Sequence, residues 1–241
     1  MIQPISSPSA SPLPRTLGQN QQASDRATTR LATGLRLNSG KDGPADLISS
    51  ERLRSILEAL DAESAVITRQ DQVANAADGF LAEGSRLQSE NRALEVQLAD
   101  STRSQAERDA IQFQLDSNNQ AIDRIGQTAS FNGQRLFSGD TTLALGETSI
   151  TLPTIDANTD SATLATLRGE IGAYQSNTLD SAQRSNRVAA EQTAAATSNL
   201  RDTDFAEELV NLRSAQLRTE ANFSALAVTN ATRSRVLDLL A

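Results

Sequence analysis

"VITRQDQVANAADGFLAEGSRLQSENRAL", residues 66–94, decides the fold. Val66, Val73, Phe80, Leu87 and Leu94 recur every seven residues, and Leu53, Leu60, Ile67, Ala74 and Leu81 form a second column one position along. Two adjacent heptad columns draw one apolar stripe down a single helix. Ala77 and Gly84 lie between the columns and leave room for a close partner. The pattern holds over residues 46–99, so the helix is roughly 50 residues and about 75 Å long at 1.5 Å per residue. A stripe that long and that narrow reads as the seam of a coiled-coil rod.

Upstream lies "LRLNSGKDGPADLISSERLRS", residues 35–55. A helix–helix connection usually spends about two to eight residues and one glycine. This one spends Asn38, Ser39, Gly40, Lys41, Asp42, Gly43, Pro44 and Asp46, and Lys41 is the only lysine in the chain. Gly40, Gly43 and Pro44 interrupt any continuous helix. Residues 38–45 therefore read as a linker. It follows a helix over 15–37, where Ala27, Leu31 and Leu35 fall four apart.

Downstream, Ser104 and Glu107 form a capping box. The helix they open carries Ile111, Leu115, Ile122 and Ile125 on one face and is predicted to stop near Gly126. Asn132-Gly133 between apolar flanks signals a hairpin. Alternation around Gly146 over 141–155 signals a second. A third helix over 160–199 carries Leu164, Leu167, Ile171 and Tyr174, its seam then passing to Thr178, Ser181 and Ser185 before Val188 and Ala195. The last helix, over 203–240, carries Phe205, Leu209, Leu212, Phe223, Leu226, Leu237 and Leu240, with Asp202 and Asp204 where acids favour a helix N-terminus.

The chain goes out and comes back. The expected fold is mainly α: an elongated antiparallel helical bundle or coiled-coil rod, with a small β-hairpin region at the far end. Residues 15–37 pair with 203–241 as terminal helices, and 46–199 form the rod, hairpins at about 130–155 included. Residues 1–14, with four prolines and four serines, read as a disordered start.

Composition narrows the function. Among the 241 residues there is no cysteine and no histidine. That removes disulfides, thiol nucleophiles, the usual zinc ligand sets and histidine acid–base chemistry. The net charge of −8, with arginines interleaved among acids, argues against a nucleic-acid surface. No apolar run approaches the ~20 residues of a membrane span, and no cleavable signal with a basic start and apolar core is present. Glu207 and Glu208 are adjacent and point about 100° apart around a helix, so they do not converge as a catalytic pair. No catalytic, cofactor or metal site is expected.

Five blocks in order resemble bacterial flagellin: "RLATGLRLNSGKDGPADLISS" at 30–50, "AADGFL" at 76–81, "TASFNGQRLFSG" at 128–139, "LRGEIGAYQS" at 167–176 and "LRDTDFAEELVNL" at 200–212. The ending "VLDLLA" is similar too, and the likeness covers about residues 20–139 and 163–241. It implies a subunit that polymerises into a hollow flagellar filament for motility, its terminal helices paired as an inner tube. On that resemblance Leu31, Leu35, Leu209, Leu212, Phe223, Leu226, Leu237 and Leu240 carry subunit contacts. The segment around Gly40, Gly43 and Pro44 corresponds to the spoke joining inner and outer layers. Only about residues 140–160 separate the two halves, which implies no outer domains and a smooth surface.

Other expectations come from the family alone. The partners it implies are further copies of the chain, hook-associated and cap proteins, the export apparatus and a chaperone of the C-terminal helix. The location it implies is an extracellular filament, reached by type III export without a cleaved signal peptide. An animal innate receptor's epitope would fall at Glu90, Arg92 and Leu94, with Glu90 standing where the family has an arginine, and the reversed charge opposes binding. The chain departs from the family at Pro4, Pro8, Pro12 and Pro14, each costing about 3 kcal/mol inside a helix. Either the inner helix starts only near residue 15, or the inner tube is thinner or less complete.

The nearest rival is the hook–filament junction protein, which shares the paired terminal helices and which "RLFSG" at 135–139 suits. "LNSGKDGPAD" and "LRDTDFAEE" favour flagellin. A cytoplasmic coiled-coil scaffold explains the heptads and the acidity but not the order of the blocks. In the filament reading, segments 15–37 and 203–241 lack partners in the free monomer and order on subunit contact, since a lone amphipathic helix is marginal in water.

Overall fold

A computed structural model describes residues 13–240. The fold is mainly α with a small antiparallel β region. Helices α1 (Leu13–Thr33), α2 (Pro44–Leu98) and α3 (Gln105–Thr128) precede two hairpins, β1–β2 (Ser130–Phe131, Gln134–Arg135) and β3–β4 (Thr141–Leu145, Thr148–Leu152). Helix α4 (Ser161–Ala173) runs through a π-helical turn (Tyr174–Leu179) into α5 (Asp180–Arg201), and α6 (Phe205–Leu240) follows. Of the start predicted to be disordered, Leu13 and Pro14 open α1, and residues 1–12 lie outside the described ones. The chain divides into two compact units. One is Leu57–Glu191; the other joins the chain up to Ile56 with the chain from Gln192 onward.

Within Leu57–Glu191 the heptad columns of α2 have different fates. Ile67, Ala74 and Leu81 are buried, as are Ala77 and Gly84 on the adjacent row. In the other column Leu87 and Leu94 are buried, Val73 and Phe80 are half-buried, and Val66 is 50 % exposed. The core they enter also holds Ile122 of α3, Leu136 and Phe137 after β2, Leu143 and Leu152 of β3–β4, and Leu164, Leu167 and Ile171 of α4. Burying each such side chain contributes about 1.5–3 kcal/mol. Gly84 of α2 faces Leu164 of α4, where a β-carbon would stand 3.7 Å from Leu164 Cδ1 in ordinary contact. Arg168 fixes the same pairing, its guanidinium donating to Asp78 at 2.7 Å.

The capping box is complete at α3: Ser104 accepts from the Glu107 amide, and the Glu107 carboxylate accepts from the Ser104 amide at 2.8 Å. The Asn91 amide donates to Asn119 at 2.8 Å, next to a small cluster of Leu94, Ile111 and Leu115. Helix α3 ends at Thr128, two residues past Gly126 and so near the predicted stop. That glycine serves a different need, because a β-carbon there would lie 1.9 Å from the Ile155 carbonyl oxygen. Asn132 (φ 49) and Gly133 (φ 82) form the turn between β1 and β2, the left-handed pair that a type I′ turn requires.

The π-helical turn corrects the predicted seam of the third helix. Continuous α-helix from Tyr174 would carry the buried face to Thr178, Ser181, Ser185 and Val188. One extra residue in the turn moves it to Leu179 and Asn186, and Val188 is left 58 % exposed.

Candidate assembly surface of the terminal helices

Helix α1 packs along α6 in the antiparallel sense. Arg30 Nη1 meets Glu208 Oε1 at 2.6 Å, and the Glu208 side chain is only 8 % exposed. Just beyond, the Thr203 amide donates to the Gly34 carbonyl at 3.0 Å, and Leu35 pairs with Asp202 in an antiparallel bridge. The less exposed residues of α1 are Leu17, Asn20, Ser24, Ala27 and Leu31; those of α6 include Glu208, Leu212, Ala215, Thr219, Asn222 and Leu226. Both rows alternate steps of three and four. The result is a coiled-coil seam built mainly of small and polar side chains. Asp204 starts α6 by accepting the Ala206 and Glu207 amides at 2.8 and 3.2 Å.

The first break falls earlier than the sequence predicts. Helix α1 ends at Thr33, not 37, because Gly34 adopts φ +71 while its amide still reaches the Arg30 carbonyl at 2.8 Å. A left-handed glycine just past the last turn is the usual helix stop. It carries Leu35 off the helical face and into the bridge with Asp202. "RLATG" at 30–34 held this signal. Gly40 and Gly43, predicted to shape the linker, are not left-handed. Gly43 provides space: a β-carbon there would lie 3.1 Å from Leu37 Cδ2, and Leu37 is fully buried. Pro44 takes the first position of α2, where its missing amide costs nothing.

Between these points the linker is tied down. The Arg36 guanidinium donates to the Leu200 carbonyl at 2.7 Å and to Asp46 at 3.1 Å, and the Arg36 amide donates to the Arg201 carbonyl at 2.7 Å. The Asp42 carboxylate accepts the Ser39 hydroxyl and amide, both at 2.8 Å, and the Asn38 amide at 3.2 Å. The Ser39 hydroxyl chiefly, with those amides and the Lys41 charge, holds the Asp42 carboxyl below the usual carboxylate range.

The large apolar side chains of α6 point elsewhere. Phe205, Leu209, Val210, Leu217, Phe223 and Val228 are 55–66 % exposed. At 100° per residue, Val210, Leu217 and Val228 lie about 180° from the row facing α1, and Phe205, Leu209 and Phe223 lie on its flank. Of the residues predicted to carry subunit contacts, Leu31, Leu212 and Leu226 are therefore half-buried within the chain, and Leu209 and Phe223 are open. The side chains of Leu237 and Leu240 lie outside the described ones. Val210, Leu217 and Val228 escaped the sequence reading, although their spacings of seven and eleven put them on one face.

Leu94 is buried against Ile111 and Leu115, Glu90 pairs with Arg86 at 3.2 Å and accepts from Gln114 at 3.1 Å, and Arg92 is exposed. Among the described residues no three acids gather as metal ligands, and no helix is long and apolar enough to cross a membrane.

The terminal helices thus pair through a polar seam and leave large apolar side chains of α6 open, within a mainly helical fold. The bacterial flagellin N-terminal helical region matches residues 7–142, and the C-terminal helical region matches 155–240. The chain belongs to the bacterial flagellin family, and as such it is a structural subunit of the flagellar filament. Among similar proteins are the flagellar filament 33 kDa core protein of Treponema phagedenis (28 % identical), the flagellar filament 31.3 kDa core protein of Treponema maltophilum (27 %) and a flagellin of Halalkalibacterium halodurans (27 %). Each alignment covers 94 % of this chain and 95 % of the relative.

Proposed function

We propose that the chain polymerises through α1 and α6, each pair docking its open apolar face on neighbouring copies in an extracellular flagellar filament that serves motility. The observation that carries this is the exposure of Val210, Leu217 and Val228 on the side of α6 turned away from α1. A row of large apolar side chains on such a face marks a protein contact. The seam between α1 and α6, rich in Ser, Thr, Asn and Ala, makes a marginal pair by itself, so burial against neighbours supplies the rest. Residues 34–43 then act as the strap between the layers of the filament.

Between the two matched regions lie only residues 143–154, most of them in β3–β4. That supports a subunit without outer domains. Hook-associated and cap proteins at the filament ends, the export apparatus, and a chaperone covering α6 before assembly complete the reading. Buried Leu94 and acidic Glu90 oppose recognition by the animal receptor, and a reporter assay at full potency would contradict that. The test of function is sulfate-induced, seeded assembly viewed by negative-stain microscopy. Long tubes of uniform diameter support a filament subunit; stubs that cap seeds without growing point to a junction protein.

A further inference from the structure

Helix α3 carries an unexpected side chain. Phe113 is 77 % exposed in a chain that contains only six phenylalanines and one tyrosine. It stands on the outer face of α3, opposite the buried Ile111 and Leu115, with Asp109 one turn before it and Asp116 one turn after. Both acids are exposed and are held only by glutamine side chains, Gln105 at 2.7 Å and Gln112 at 3.0 Å. The face is an aromatic knob between two negative charges.

The same compact unit holds a complementary hollow. A cleft of about 510 Å³ opens between α2 and the β1–β2 hairpin. Val73 and Phe131, both half-buried against the core, form its apolar floor; Arg69, Gln72, Asn132 and Gln134 form its rim. Exposed Val66 lies one heptad before Val73 on the same stripe of α2.

We propose that Phe113 of one subunit seats in the Val73–Phe131 cleft of a second copy, with the acids that flank it, Asp109 and Asp116, facing the Arg69 rim. The inference rests on the filament reading and adds a second contact, apart from the terminal helices. Knob and cleft are different surfaces of one unit, so the contact is heterologous; such a contact gives a ring when its rotation closes and an open helical polymer when it does not, and the filament reading requires the second. An aromatic ring in an apolar floor, rimmed by opposite charges, has the composition of an interface hot spot. A guanidinium near the ring adds a cation–π attraction.

The test uses the full chain in seeded assembly. Phe113→Ala should raise the critical concentration by at least about tenfold, the effect of losing a hot-spot anchor, and Phe113→Tyr should restore it. Folding is checked by an unchanged helical melt, as the ring lies outside the core. The chain has no cysteine, so Gln112→Cys/Gln72→Cys filaments report proximity cleanly: a short bismaleimide should give a ladder of linked subunits. Wild-type filaments beside Phe113→Ala filaments of unchanged critical concentration, or double-cysteine filaments that yield only monomer, overturn this contact and leave the filament reading intact. Wild-type protein that never polymerises overturns both.

Discussion

Arg30 and Glu208, 178 residues apart in sequence, meet at 2.6 Å and set the register of the terminal helices. The two partners are unequally placed, with side-chain exposures of 28 % and 8 %. Removing Arg30 strands a carboxylate among packed side chains; removing Glu208 frees a guanidinium that reaches water. Arg30→Ala should therefore cost about 2–3 kcal/mol and Glu208→Ala about 1 kcal/mol, after allowance for partial screening. Chemical denaturation followed at the terminal helices checks the order, and equal costs would contradict it.

Gly126 and Ile155 give a steric prediction. A β-carbon on Gly126 meets the Ile155 carbonyl oxygen at 1.9 Å, and backbone cannot step aside as a side-chain tip can. Gly126→Ala should destabilise the Leu57–Glu191 unit by about 3 kcal/mol or more. Gly79, in mid-α2 with nothing within 4 Å of its β-carbon position, is the control. Gly79→Ala should stabilise by about 0.5–1 kcal/mol. Urea midpoints of the two variants should move in opposite directions.

The π-helical turn makes deletion a constructive experiment. Its extra residue shifts the seam from Tyr174 to Leu179; deleting Ser176 lets an ordinary α-helix deliver Leu179 and Asn186 to the same places. The deletion should be tolerated, with an equal or higher melting temperature. Deleting Ser185 instead rotates every later seam residue of α5 and should lower it. A large loss for the Ser176 deletion would contradict the register argument.

Acid should loosen the linker. The folded-state pKa of Asp42 is lowered, mainly by the Ser39 hydroxyl, so its contribution is fully present above the ordinary carboxylate pKa. That contribution is lost as pH falls through the lowered value. Asp100, Glu107, Asp156 and Asp160 are lowered by their own capping and turn hydrogen bonds and follow the same sign. The protection of the Ser39 amide against hydrogen exchange, taken relative to an unstructured amide at the same pH, should be high at neutral pH and lost in strong acid. In Asp42→Asn the protection should be low at both.

Signals local to the chain were legible in the sequence, and tertiary ones were not. The α2 heptads, the Ser104–Glu107 box, the Asn132-Gly133 turn and the acid opening α6 are each written within a few residues. The π-helical turn has no such signature, because it arises where α4 and α5 must both present a seam to one core. Gly126 reads as a helix stop until Ile155, 29 residues on, is placed against it. On α6 the sequence did not separate two faces that the fold separates. Leu212 and Leu226 are half-buried toward α1, while Leu209 and Phe223 are open, and the internal seam is otherwise made of small and polar residues. The open side chains are the proposed contacts with neighbouring copies.

The most direct test of that last point compares Leu217→Asp with wild type in seeded assembly, read by sedimentation and microscopy. Leu217 is 55 % exposed and faces away from α1, so the charge should leave the folded chain and its melt unchanged while the protein stays in the supernatant. Leu226→Asp, half-buried toward α1, should instead loosen the terminal pair and block assembly as a consequence. Leu217→Asp subunits that sediment as tubes at the wild-type concentration would contradict the assignment of the open face of α6 as the polymer contact.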